Sequence, residues 1–257
     1  VALDSFSIFY YGHEVTAENN RISFDEGGGE LIATLTLGFY SLTDYAIEVQ
    51  AALNDAGALT YTCAASRTSR LITISADGNF DLLFDTGSTS TVSANEMLGF
   101  DADDFTGDDT YTGTLPSGSQ YRPQFILQDY LSADDNNRLV DAVVNKAANG
   151  RVQVIRFGSE RFIEMNIKFI TDLDMDGKVI LNNPDGVDAA RDFMNYVIKK
   201  SPIEFMEDIS TRSTFYKVLL ESTPEEKNGT AYKLKEMVSK NLPGLFETGK
   251  IQFRVLE

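Results

Sequence analysis

The chain has 257 residues, of which 42% are hydrophobic, enough for one large core or two modest ones. Its 39 acidic against 22 basic residues give a net charge of −17, which repels phosphate backbones and argues against nucleic acid as a partner. Apolar runs fall far short of the roughly 20 residues that cross a bilayer, no basic signal-peptide region opens the sequence, and the single Cys63 excludes an internal disulfide or a cysteine-built zinc site.

From the N-terminus, an aromatic stretch from Phe6 to Tyr11 leads into a turn-prone segment that ends in Gly27-Gly28-Gly29. Alternation across Leu31, Ala33, Leu35 and Leu37 predicts a strand with these four on one face, ended by Gly38. Ser41 and Asp44 then mark a helix start, and Leu42, Ala46, Val49 and Leu53 form one buried stripe along it. Asn54 to Gly57 closes that helix. Short strands are expected at 59–64, 70–75 and 80–84, with turns between them and consecutive antiparallel pairing. Residues 1–115 thus form a β-rich module with one helix.

Residues 71–121 contain no Lys or Arg but nine acidic residues, and Asp101 to Asp109 reads as an exposed acidic loop. Leu115 to Ser119 reads as a connector to a second module, residues 116–257. There, Ile163, Met165, Ile167 and Phe169 alternate with polar residues, as do Ile251, Phe253 and Val255, so both segments are half-buried antiparallel strands. Between them Ala190, Phe193, Met194, Val197 and Ile198 share one helix face, and Pro202 stops that helix. Strands at 203–208 and 214–221 and a short helix at 232–238 complete the pattern. The fold class is α+β: two β-rich modules, each an antiparallel sheet or split barrel packed with one main helix.

Two motifs carry possible chemistry. Leu82 to Thr89, with Asp85-Thr86-Gly87-Ser88 at its centre, resembles the active-site signature of aspartic proteases. That chemistry needs two carboxylates sharing a proton, and no second such triplet exists in the chain, so only a homodimer could supply it. The same residues are also ordinary turn chemistry after a strand, and a turn is the simpler expectation. Asp172, Asp174 and Asp176, followed by Gly177 and Val179, resemble the first eight positions of an EF-hand loop and are candidates for a cation. Asn183 stands where that loop needs a bidentate Glu, and a strand rather than a helix leads in, so a solvated turn is the simpler expectation. His13 is the one histidine; any Ser-His or Cys-His catalysis would have to use it. Lys227, Lys233, Lys235 and Lys240 read as a solvated basic face that a neighbouring acidic loop could meet. No cofactor site is expected.

The segment Leu37-Gly38-Phe39-Tyr40-Ser41-Leu42, together with Ala52-Leu53-Asn54 and Leu98-Gly99-Phe100, resembles a module recurrent in structural proteins of tailed-bacteriophage particles. Gly244 to Gly249 resembles a region near the C-terminus of uncharacterised phage proteins. The resemblance implies a non-enzymatic virion subunit, distal-tail-like in outline and placed in the tail or baseplate. It would form a homo-oligomeric ring that meets tail-tube and baseplate-hub proteins after assembly in the host cytoplasm. A head decoration or head–tail connector protein is the alternative. Neither nucleic acid nor membrane is expected as a partner.

Overall fold

The computed structural model describes residues 7–123, 126–128, 138–146, 152–173, 178–181, 183, 185–206, 215–222, 234–237 and 244–256; for 126–128, 138–146, 152–160 and 222 it describes the backbone alone. In chain order the first strands are β1 (Ile8–Tyr11), β2 (His13–Val15), β3 (Arg21–Asp25), β4 (Glu30–Thr34) and β5 (Gly38–Tyr40). Helix α1 (Leu42–Ala56) is followed by β6 (Tyr61–Ala65), β7 (Ile72–Leu82), α2 (Asn95–Leu98), β8 (Phe105–Thr112) and β9 (Ser119–Tyr121). Then come β10 (Ile126–Gln128), β11 (Arg138–Lys146), β12 (Val152–Ile167), α3 (Val187–Val197) and β13 (Ile203–Met206). The last are β14 (Phe215–Ser222), β15 (Lys235–Glu236), β16 (Phe246–Glu247) and β17 (Lys250–Val255). The fold is α+β and rich in antiparallel sheet, with three α-helices among the described residues.

The chain divides into two compact units. One comprises Tyr10–Gln120 with Pro202–Glu204; the other comprises Val1–Phe9, Tyr121–Ser201 and Phe205–Glu257. The division falls five residues beyond the 115/116 boundary expected from the connector, and short segments cross over in both directions. The reason is strand pairing: β1 and β13 join one sheet from opposite ends of the sequence.

In the Tyr10–Gln120 unit, an antiparallel sheet runs β4-β3-β7-β6, with β8 also paired to β7. Ser41 Oγ accepts from the Asp44 amide at 3.2 Å, and Leu42, Ala46, Val49 and Leu53 are all buried, as their spacing predicts. The helix packs on β4 and β6. Its core includes Ile22, Phe24, Val49, Leu53, Ile74 and Phe80, and Tyr61 and Tyr111 both meet the Phe80 ring edge-on at 5.1 Å.

Three expectations change here. Leu31, Ala33 and Leu35 turn inward, but Leu37 lies beyond the end of β4 and is 58% exposed. The strands expected at 70–75 and 80–84 are one strand, β7. Asp77 and Gly78 make a bulge rather than a turn: Thr60 N donates to Asp77 Oδ1, Asp77 N donates to Thr60 O, and the ladder to β8 steps from Ser75 to Phe80. The acidic segment is only partly loop, because Asp108 and Asp109 lie in β8, where Thr106 to Thr110 are all exposed.

In the other unit, the eight-stranded sheet runs β10-β12-β17-β14-β13-β1-β9, with β11 on β12. Ile163, Met165, Ile167, Ile251 and Phe253 are buried as their alternation predicts. Phe169 is not: the chain takes a left-handed turn there, with φ +58°, which lifts it off the strand and leaves it 43% exposed. Helix α3 buries Ala190, Phe193, Met194 and Val197. The helix expected at 232–238 is absent from its described part, where Lys235 and Glu236 pair with β16 instead.

Candidate functional site

A buried polar group in the Tyr10–Gln120 unit gathers around His13. Strand β2 carries it, opposite Tyr40 of β5. Its Nε2 lies 2.8 Å from Ser117 Oγ, and both residues are fully buried. Ser117 Oγ in turn donates to the carbonyl of Met97 in α2 at 2.8 Å. Ser117 N donates to Arg70 O, and the Arg70 guanidinium donates back to Ser117 O. Arg70 also lies over the Tyr10 ring, 5.2 Å from its centroid.

This backbone is held under strain. Arg70 has φ +61°, a conformation that costs a side-chain-bearing residue about 1–2 kcal/mol. Gly118 has φ +61° as well, and a Cβ there would lie 2.5 Å from His13 Cε1 and 2.8 Å from an Arg70 guanidinium nitrogen. No larger residue fits this junction without moving both.

A serine beside a histidine suggests a nucleophile and its base, but the hydrogen bonds run the wrong way. The serine proton is committed to Met97 O, so His13 Nε2 must donate to Ser117 Oγ, and the imidazole's lone pair sits on Nδ1. Nδ1 is buried with no partner among the described residues. Burial, reinforced by the Arg70 charge, lowers the His13 pKa to about 3, so the ring is neutral at ordinary pH. With both residues closed from solvent, the cluster acts as a clasp joining β2, α2, the turn at Arg70 and the loop after β8. Cys63 is half-buried on β6, and burial pushes its thiol up to about 12, which leaves it a poor nucleophile.

Folding brings a second buried charge into this unit from far along the sequence. Glu204 is 3% exposed, accepts from Thr43 Oγ1 at 2.6 Å and pairs with Arg67 at 3.5 Å. Arg70, Ser117 and Glu204 were not picked out by sequence patterns. Each comes from a different segment, so no local spacing links them.

The Asp85 motif forms a turn. The amides of Asp85 and Thr86 donate to Asp104 Oδ1 at 2.8 and 3.2 Å, and Asp85 itself is exposed. Gly87 explains the motif's glycine: a Cβ there would lie 2.3 Å from Leu83 O and 2.4 Å from Ser23 Cβ. Gly87→Ala is therefore expected to cost about 2–3 kcal/mol in a thermal melt, since one neighbour is fixed backbone. An unchanged melt would show that the turn relaxes freely.

The candidate cation loop resolves differently. Asp174 and Asp176 lie outside the described residues. Asp172 Oδ1 accepts from Val187 N at 2.9 Å, so its carboxylate faces the first amide of α3, whose own cap residue, Gly186, has no side chain to do so. A Cβ on Gly186 would lie 2.0 Å from that oxygen. Asn183, at the position where calcium would need a Glu, donates to Thr171 O at 3.2 Å. Among the described residues no cluster of three His, Cys, Asp or Glu is placed to hold a metal ion. Of the four C-terminal lysines, Lys235 lies 3.7 Å from Glu247, and Lys227, Lys233 and Lys240 lie outside the described residues.

The chain matches no protein-family model, and no curated protein matches it significantly. No described helix is long and apolar enough to cross a membrane.

Proposed function

We propose that this chain is a non-enzymatic structural subunit of a tailed-phage particle, in the tail or baseplate region, assembling with itself and with neighbouring tail proteins. The observation that carries the reading is where polarity sits. The one histidine, His13, and the serine beside it, Ser117, are spent inside a core, whereas sheet edges face outward. Strand β4 is one edge and carries Ile32, 41% exposed; β8 is another whose residues Thr106 to Thr110 are exposed, although side chains take the amides of Gly107, Asp108 and Asp109. Open edges are what assembling proteins use to meet neighbours, and what monomers blunt. The motifs that resemble virion proteins are structural too: Leu53, Leu98 and Phe100 lie in the core. In this reading each unit is a sheet or split-barrel module with one main helix, an analogy at the level of fold to ring-forming tail proteins.

Light scattering with negative-stain imaging of the purified protein tests the proposal. Closed rings, alone or on adding tail proteins, are expected. Co-purification with heads rather than tails would move the subunit to a decoration or connector role. A monomer that never joins particles would sink the proposal.

A further inference from the structure

Strand β4 is an edge of its sheet and pairs on one side with β3. Across that pairing Leu35 N donates to Asn20 O at 2.9 Å. Backbone groups alternate in direction along an antiparallel strand. Leu31 and Ala33 therefore also bond to β3, whereas Glu30, Ile32 and Thr34 turn their N–H and C=O groups outward. Nothing among the described residues accepts from the amides of Ile32 and Thr34. The open stretch ends at Thr36, whose amide donates to Glu48 Oε1 of α1 at 2.6 Å. Monomers blunt an edge of this kind with Lys, Pro or a bulge. The sequence Glu-Leu-Ile-Ala-Thr has neither Lys nor Pro, and its register with β3 is regular. On β8, by contrast, side chains already take the middle amides.

The side chains along β4 say what fits beside it. If a second β4 lies antiparallel to the first with Ile32 on the two-fold axis, Ile32 faces Ile32 and Thr34 faces Glu30 of the second copy. All of these are outward-bonding residues, so each pair exchanges both backbone hydrogen bonds. Side chains 30, 32 and 34 project from the face opposite the buried Ala33. The two Ile32 side chains, each 41% exposed, then cover one another.

The charges on this face are complementary in the same register. Arg21 of β3 stands opposite Thr34, and its guanidinium donates to Thr34 Oγ1. It thus reaches across the strand toward the open edge, and no described carboxylate pairs with it. The next side chain along that row is Glu30 of the second copy. Glu30 is exposed, and the amide and hydroxyl of Ser88 donate to its Oε1 at 2.6 and 3.0 Å, which fixes the carboxylate. The two-fold axis repeats the Arg–Glu pairing on the other side.

We propose that β4 pairs with β4 of a second copy, antiparallel about Ile32 and flanked by two Arg21–Glu30 ion pairs. The inference rests on the assembly reading above and names one of its contacts. A two-fold contact closes on itself, so it makes dimers, and a ring would join those dimers through a different surface.

Sedimentation of the full-length protein over a range of concentrations measures the pairing, and hydrogen–deuterium exchange locates it. A dimer is expected, with exchange at the Ile32 and Thr34 amides slowing as it forms. Ile32→Lys sets two like charges together on the axis and should weaken the dimer roughly tenfold. Arg21→Glu, which faces Glu30 with a like charge, should also weaken it. Combining Arg21→Glu with Glu30→Arg should restore the dimer, which a misfolded variant could not do. The β4 contact is overturned if the wild type is monomeric at every concentration, or if neither single change alters its dimer. The virion reading is then decided separately by whether the chain joins particles. A β4 dimer that never joins particles keeps the contact and ends the virion reading.

Discussion

Acidification from pH 6.5 to pH 5 is expected to destabilise the Tyr10–Gln120 unit, and replacing His13 by Gln to remove most of that slope. Folding buries the imidazole neutral and lowers its pKa from 6.5 to about 3. In the unfolded chain the same ring takes up a proton as the pH falls through 6.5. Between those two values the unfolded state binds more protons, so stability rises with pH and is lost as pH falls through the window. Each pH unit inside the window is worth about 1.4 kcal/mol, and the loss levels off below the folded pKa. The groups that face the ring act in the same direction. Arg70 is a cation beside it, and burial lowers that guanidinium only to about 10, so it stays charged throughout. Tyr45, 5.0 Å away between ring centroids, is buried and neutral.

The measurement is urea denaturation at half-unit steps from pH 7 to pH 4. Ordinary carboxylates have pKa values near 4, so pH 5 to 6.5 is the diagnostic range. His13→Gln keeps a donor toward Ser117 but loses the ring packing on Tyr45, and its absolute stability is expected to drop. The slope is the readout. Equal slopes in the two proteins would show that His13 does not stay neutral in the fold.

What the sequence reveals about this protein follows from how far apart the cooperating residues are. Leu42, Ala46, Val49 and Leu53 lie within three turns of one helix, so their period alone places them inward. The alternation at Ile163, Met165 and Ile167 works in the same way. The clasp has no such period, because His13, Arg70, Met97 and Ser117 meet only after four separate segments have folded. A lone histidine next to Gly12 was the visible trace of it. The acidic loop at Asp172 shows the opposite error. Its local spacing imitates a calcium loop, while the decisive fact, that Gly186 opens a helix whose first amide needs an acceptor, lies fourteen residues away. Likewise Asp77-Gly78 has turn chemistry, yet pairing with β8 on both sides of it, at Ser75 and Phe80, carries the strand through as a bulge.

Phe193→Ala is expected to be the most damaging single truncation in the unit that holds the eight-stranded sheet. The Phe193 ring is fully buried on α3, 4.6 Å from the centroid of Phe9 and stacked on Tyr121 at 5.1 Å. Phe9 continues the cluster to Phe205 at 4.8 Å and Phe253 at 5.8 Å. One side chain on the helix therefore touches rings from β1 and β9, and through Phe9 reaches β13 and β17. Removing it loses the transfer energy of the ring and leaves a cavity whose walls come from strands fixed by their own ladders. Such walls collapse poorly, which puts the cost at about 3–5 kcal/mol. Leu181→Ala is the control: that side chain is 84% exposed, and its truncation should stay within about 0.5 kcal/mol. Phe9→Ala should approach the cost of Phe193→Ala, and the double variant should cost less than the sum, because the two rings share one contact. Strict additivity, measured by chemical denaturation, would mean that Phe9 and Phe193 stabilise the unit independently, against the packing described.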